Sequence, residues 1–491
     1  MAVKQPNMKA ADSPIVMKAG DTAARETAAQ KAVEATINET PEVAAALAAR
    51  GIPATYDANN RAYVELAGTT DEIHAIGEYL TSYQPARNAF LNALVNRIGL
   101  TIVTSKLYRN PWAVFKRGYL EFGDTVEEIF VNLADVHGFY PEGAEDTFAK
   151  RELPDVRTAF HRMNFQKIYK TTVSSQQLRQ AFLSWTGVSD LIARIIESLY
   201  TSANTDEYYV MRYFLAKCLL NGYIGSVEIP AIGKDNAIDI ATQFQYMSDL
   251  FQYQSTKYNM AGVTTHTDFE DQYFIVTAKF KATMNMNVLA TAFNLEYREF
   301  QARMITVDTF TDFDWDRMDA LFTDPATGQL DPNYHRFTQE EIALLETVPA
   351  VLVSRDWWMV LDNYVESAQW FNGEGLYWNH WHHVWKTISC SPFGQAAAFT
   401  PTAPTITRVT VAPETATLSK GADLQLSAAV VGTGIVNQGV QWTVTGGAAS
   451  GTTVTNGGYL HVAANETTLT VAATSIQDET KMGESTITVT A

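Results

Sequence analysis

Gly375-Leu-Tyr-Trp-Asn-His-Trp-His-His-Val-Trp-Lys-Thr-Ile-Ser389 holds three tryptophans (Trp378, Trp381, Trp385) and three histidines (His380, His382, His383). The stretch fits either a metal site or a packed strand. In a strand, His380 and His382 point to one face, while Tyr377, Trp381, His383 and Trp385 point to the other. Two histidines on one face could ligate a metal, but a closed site needs further donors and none follows at a ligand spacing. His383 faces away. The stretch is therefore expected to be an aromatic strand, with no metal and no cofactor.

On its C-terminal side, residues 395–399 continue as a strand. Phe399-Thr-Pro-Thr-Ala-Pro404 reads as a linker, because its two prolines break pairing. Residues 405–491 then change in character. Thr, Val, Ala and Gly dominate, and period-two runs recur at 406–411, 424–430, 440–444, 459–462, 469–471 and 485–489. Turns separate them about every ten residues, the pattern of a β-sandwich. Trp442 is its expected core anchor, an aromatic that buries on the order of 200 Å².

On the N-terminal side, residues 348–361 read as a buried strand pair. Residues 313–347 read as an acidic, loop-like excursion that closes in a helix at 338–346. Helices are expected at 235–257 and, most strongly, at 178–223. There Val188, Leu191, Ile192, Ile195, Ile196 and Leu199 recur at spacings of three and four. Thr205-Asp206-Glu207 reads as a restart after Ala203-Asn204, giving one helix or a broken pair. Strands are expected at 100–107, 273–280 and 305–310, and a short helix at 287–293. Thr69-Thr70-Asp71-Glu72 resembles a capping start for a helix through Tyr83, with Ile73, Ile76 and Leu80 on one face. A second helix is expected at 87–98.

Residues 110–155 are long, polar and aromatic, with strand pieces at 119–122 and 126–130. A projecting hairpin carrying Trp112, Phe115, Phe122, Phe130, Phe139 and Tyr140 would expose too much apolar surface alone, so a neighbouring molecule is expected to cover it. Lys116-Arg117 is either a solvated turn or a contact to an acidic patch on that neighbour. Glu127 and Glu128 would point to opposite faces of a strand, which makes them a poor acid/base pair. Trp112, Phe115, Lys116, Arg117, Glu127 and Glu128 are the candidate inter-subunit contacts. Removing 116–123 is expected to leave a chain that folds but does not assemble. The Ala-rich stretch 22–50 is expected to be helical and to gain order only against a partner, since alanine buries little surface.

With 491 residues, 46% of them hydrophobic, the chain needs two or three domains. No apolar run approaches the roughly 18 residues that span a bilayer, so no membrane partner is expected. Residues 1–20 lack the apolar core of a signal peptide, which points to the cytoplasm of the producing cell. Two cysteines are too few for a disulfide framework, and Cys218 falls in an apolar helical run. A net charge of −18 argues against nucleic-acid binding as the main task. It is compatible with a container whose wall repels DNA. Asp312-Phe-Asp314-Trp-Asp316 begins like a calcium loop, but Arg317 and Thr323 stand where glycine and a bidentate glutamate are needed. Ser184-Trp185-Thr186-Gly187 lacks the glycine before the serine that a nucleophile elbow requires. No phosphate-cradling or dinucleotide motif occurs. No catalytic constellation remains, and the chain is not expected to be an enzyme.

Asn96-Arg-Ile-Gly-Leu100, Thr125-Val-Glu-Glu-Ile-Phe130, Ala181-Phe-Leu-Ser-Trp185, Ala290-Thr-Ala-Phe-Asn294, Ser354-Arg-Asp-Trp-Trp-Met359 and Gly375-Leu-Tyr-Trp-Asn379 with His383-Val-Trp-Lys-Thr-Ile-Ser389 share their order and spacing with one family. They resemble the major capsid protein of the phi-twenty-nine group of short-tailed bacteriophages. Residues 405–491 are similar to the bacterial immunoglobulin-like group 2 module. The resemblance implies an α+β chain with the Johnson fold, the Hong Kong ninety-seven type of tailed-phage capsid protein, followed by an immunoglobulin-like β-sandwich. It implies an N-terminal arm at 1–70, a capsid core at 71–400, a linker at 401–404 and the outer module at 405–491. Within the core it places an extended loop at 106–155, a spine helix at 178–223, an axial domain at 235–372 and peripheral-domain strands at 375–399. The arm has no counterpart in the family, and 313–347 looks like an insertion. The implied partners are copies of the chain in pentamers and hexamers, a scaffolding protein, a portal and enclosed double-stranded DNA. The implied location is the virion, after assembly in the host cytoplasm. Removing 405–491 is expected to leave shells that form. The alternative is a bacterial surface or adhesin protein with an immunoglobulin-like module, which would need an export signal.

Overall fold

The computed structural model describes residues 30–31, 33–83, 85–87, 89–90, 93, 108–120, 123, 125–134, 155–174, 185–233, 235–284, 303–375, 377–445 and 451–490. The strand expected at 100–107, the helix at 287–293, most of the helix at 87–98, the start of the helix at 178–223, and Phe122, Phe139 and Tyr140 lie outside these residues. The chain divides into two compact units. One gathers Met1–Asn110, Gln166–Asp206 and Val365–Val384; the other gathers Pro111–Phe165, Glu207–Tyr364 and Trp385–Ala491.

In the first unit, the helices Pro41–Ala48 and Thr70–Ser82 share a core with Val33, Ile37, Phe90 and Trp378. Thr69 and Glu72 close a reciprocal capping box on the second helix, as its sequence suggests. The stretch expected to order only against a partner is, from residue 30 onward, part of this core. Alanines hide its real stripe: Val33 and Ile37, then Val43 and Leu47, recur one helical turn apart and are fully buried. Polar side chains lock the stripe in place. Asn38 accepts from the Val64 amide at 2.7 Å and donates to the Val64 carbonyl at 3.0 Å, as a neighbouring strand would. Arg87, itself buried, lies 4.5 Å from the Trp378 ring centre and 4.9 Å from that of Phe371.

The second unit is built on a five-stranded sheet, in the order Gly225–Glu228, Ala396–Thr400, Ala350–Ser354, Gln272–Thr277, Met304–Val307. Every residue of Ala350–Ser354 is buried, as befits a central strand. Phe244, on the helix Ala237–Phe251, fills the sheet face at 4.1 Å from Phe399 and 5.3 Å from Phe274 between ring centres. The strand expected at 273–280 ends at Thr277, whose hydroxyl accepts from the Phe280 amide and caps the short helix Ala278–Thr283.

The acidic excursion closes in the helix expected at its end, but the part before it is not all loop. It holds the helices Trp315–Phe322 and Gln339–Glu346, and Asp314 caps the first by accepting from the Arg317 amide at 3.2 Å. The half calcium loop is thus a helix start. The helix Trp185–Leu220 continues unbroken through Ala203-Asn204. Within the second unit, Lys116–Tyr119 pairs parallel with the start of the strand Trp358–Asn372, with Lys116 opposite Val360 and Tyr119 opposite Asp362. After Pro404, strands from Thr405–Ala412 to Met482–Thr490 form sheets of two, four and three strands. They enclose one core, containing Leu426, Val430, Trp442, Leu460, Val471 and Ile487. We call this region the β module.

Candidate interaction surface

Thr125–Val131 and Val156–Arg162 pair antiparallel, with Glu127 opposite Phe160, Ile129 opposite Thr158 and Val131 opposite Val156. Period-two alternation sorts their side chains onto two faces. The outer face carries Ile129, Val131, Val156 and Phe160, exposed by 60%, 59%, 48% and 63%. Glu127 and Thr158 stand between them, and Thr125 and Arg162 close the root. Such a ribbon is marginal alone in water, so its other face must hold it.

That inner face is polar at its centre and apolar beside it. His161, 3% exposed, meets the Ser389 hydroxyl through Nδ1 at 2.9 Å and Glu128 through Nε2 at 3.1 Å. Ser391 donates to the other oxygen of Glu128 at 3.0 Å. The Phe130 ring stacks on Phe393 at 5.3 Å. Toward the far end, Asn132 donates to Asp155 at 3.2 Å, and the Arg157 guanidinium meets the same carboxylate at 3.0 Å. The Arg157 hydrogen bond holds the Asp155 carboxyl below its ordinary range. Sequence reasoning found that Glu127 and Glu128 face opposite ways. It missed His161, Ser389, Ser391 and Arg157, whose partners lie far along the chain.

The other expected contact residues lie elsewhere. Trp112 and Phe115 are fully buried by their own chain: Trp112 meets Tyr208 and Trp358 edge-on, and Phe115 stacks on Trp358 at 5.3 Å. Neither needs a neighbouring molecule, which corrects the reason for placing them at an interface. Lys116 is neither in a solvated turn nor dependent on a neighbour's acidic patch. Its Nζ lies 2.7 Å from Asp362 and 3.3 Å from Glu207. Lys386 joins both carboxylates, at 2.6 Å from Asp362 and in direct contact with Glu207. Two cations and two anions thus balance where Glu207 is 1% and Lys386 6% exposed. Burial opposes the charge on Lys116, but Glu207 and Asp362 outweigh it and hold the ammonium above its ordinary value. Burial likewise opposes ionisation of Asp362, and Lys386 and Lys116 reverse that and hold it below. Arg117 donates to the carbonyls of Trp358 and Asp356 at 2.9 and 2.6 Å. Cutting out 116–123 would strand Glu207 without one of its cations, so the deletion is expected to harm folding itself.

The aromatic stretch forms the strand Tyr377–Cys390, and every even position from Trp378 to Ile388 is buried. His382 meets the Ser367 hydroxyl at 3.0 Å and lies 4.5 Å from the Tyr200 ring. Burial lowers the pKa of His380, because desolvation disfavours the charged imidazolium. Among the described residues, no group of three or more His, Cys, Asp or Glu is placed to hold a metal ion. No described helix is long and apolar enough to cross a membrane.

Residues 53–400 match the family described as phi29-like phage major capsid protein. The chain is 33% identical over 423 residues to the major capsid protein of Bacillus phage B103, covering 85% of this chain and 86% of that one. It is 31% identical over 440 residues to the major capsid protein of Bacillus phage PZA, covering 86% and 90%. Among solved structures, the capsid of Staphylococcus phage Andhra aligns with a TM-score of 0.49 at 15% identity, over 61% of this chain and 86% of that one. The family match ends at residue 400, so the β module lies beyond it.

Proposed function

Because the chain belongs to the phi29-like phage major capsid protein family, we infer that it builds a closed shell from copies of itself. The chain is a structural component of a phage virion, not an enzyme. The copies form pentamers and hexamers of an icosahedral or prolate head that encloses packaged double-stranded DNA. A scaffolding protein during assembly and a portal complete the partners. Assembly takes place in the host cytoplasm. The net charge of −18 suits a wall that does not hold DNA tightly. The Johnson fold is supported by the family match through the whole core. The immunoglobulin-like group 2 assignment of 405–491 is supported by its stacked sheets around Trp442. Family membership gives the adhesin alternative no support.

The outer face of the hairpin carries this reading. Full burial of an aliphatic or aromatic side chain is worth about 1.5–3 kcal/mol. The four apolar residues are already about half covered, so a neighbour gains roughly 1 kcal/mol from each. That is modest after the cost of association, and a symmetric shell repeats it at every subunit. Glu127 stands within this face, and the partly exposed Arg117 lies beside the hairpin in sequence. Trp112, Phe115 and Lys116 hold the segment in place from within. Oxidative footprinting of free and assembled chain tests the assignment. Phe160 and Ile129 should label readily in the free chain and lose most of that labelling in particles. Equal labelling in both states contradicts it.

A further inference from the structure

The β module touches the hairpin, and this contact adds to its role. The module is held to the rest of its unit by main chain rather than by a loose tether. Ser226 donates to the Ile435 carbonyl through its amide at 3.1 Å and its hydroxyl at 2.7 Å. The Gln438 amide donates to the Gly222 carbonyl at 2.8 Å, and Gln477 donates to the Ser226 carbonyl at 3.3 Å. Gly222 has a φ of +68°, and a Cβ there would strike the Val436 carbonyl. Ile435 and Asn437 are each 2% exposed. A module seated in this way can transmit position.

Its reach ends on Arg157. In the amide orientation that satisfies both groups, the Asn456 oxygen accepts from Arg157 Nε at 2.6 Å and from Nη2 at 3.3 Å. The same guanidinium donates to the carbonyl of Ala261 and to Asp155. Through Asp155 it fixes Asn132, whose side chain also accepts from the Thr264 amide at 3.3 Å. Arg157 sits one pair from the far end of the ribbon, on its inner face, opposite Phe130. Its side chain is only 11% exposed.

We propose that the β module is a brace for the hairpin: Asn456 holds Arg157, and Arg157 is a positioning residue that sets how the outer apolar face is presented to the next copy. This rests on the shell reading above. It also gives the module a task compatible with shells forming without it, namely keeping those shells uniform.

The test uses the full-length, unassembled chain. Asn456→Ala removes the acceptor, and Asn456→Asp keeps one and adds charge. Losing the Asn456 acceptor for the charged Arg157 should speed amide hydrogen exchange in 125–131 and 156–162 at least about ten-fold, with the strands 469–475 and 482–490 unchanged. Asn456→Asp should restore the slow rate. In assembly, Asn456→Ala should give a broader particle-size distribution than the parent chain. Unchanged exchange in Asn456→Ala, or altered exchange with an unchanged size distribution, overturns the proposal. An Ile129→Glu variant measured alongside separates the two claims. If that variant assembles normally, the shell interface is misassigned, whereas the exchange result bears on the brace alone.

Discussion

The strand Tyr377–Cys390 and the hairpin Thr125–Val131 with Val156–Arg162 are both aromatic and apolar with period two, and they come to opposite ends. The strand turns its even residues, from Trp378 to Ile388, into the chain's own interior. The hairpin turns Ile129, Val131, Val156 and Phe160 away from it. Alternation states which side chains share a face; it does not state what covers that face. A face covered by its own chain contributes to folding; on the reading proposed above, the open face serves assembly. Substitutions on the two should therefore separate stability from particle formation.

The largest loss of stability belongs to the strand. Lys386→Ala removes one cation from a buried cluster of four charges and takes from Glu207, 1% exposed, the ammonium in direct contact with it. Breaking such a group costs roughly 3–5 kcal/mol, and the urea midpoint should fall accordingly. A midpoint shift equivalent to less than about 1 kcal/mol, the range of an exposed pair, would mean that the cluster is solvated and would erase the contrast with the hairpin.

A smaller effect appears as pH dependence. Asp362 titrates below its ordinary value in the folded chain, so its contribution is fully present above the ordinary carboxylate range, near 4, and is lost as pH falls through the depressed value. Lys116 titrates above its ordinary value, so its contribution is present below about 10.4 and is lost as pH rises through the raised value. The melting temperature should hold a plateau between these limits, and Asp362→Asn should flatten the acid limb. An acid limb unchanged in Asp362→Asn would place the acid-sensitive group elsewhere.

Much of the local structure was legible in the sequence. The 375–389 strand, the Thr69/Glu72 capping box and the helix Trp185–Leu220 each follow from spacing alone, because helix and strand periods are local properties. The Ala-rich stretch is legible as helix, but its place in the chain's own core is not, because alanine dilutes a stripe set by Val33, Ile37, Val43 and Leu47. The acidic run at 312–316 reads as loop because its Asp314 is the cap of a helix that begins one residue later. The interaction surface was legible only in part. Glu127 and Glu128 were separated correctly by alternation. The fate of Lys116 depended on Glu207 and Asp362, far along the chain, and no local pattern reports such partners. The apolar half of the surface was missed for a related reason: Val156 and Phe160 sit on a strand that no turn signal next to Thr125–Val131 announces.

The smallest effect on the fold should accompany the largest effect on assembly. Ile129→Glu combined with Phe160→Lys changes two outward residues that are each about 60% exposed and sets the lysine opposite Glu127, so unfolding free energy should shift by no more than about 0.5 kcal/mol per site. Electron microscopy of that double variant, expressed under the same conditions as the parent chain, tests the central claim most directly. The expected result is a folded, soluble chain and no closed particles; normal shells in parental yield would contradict the assignment of the hairpin as the assembly surface.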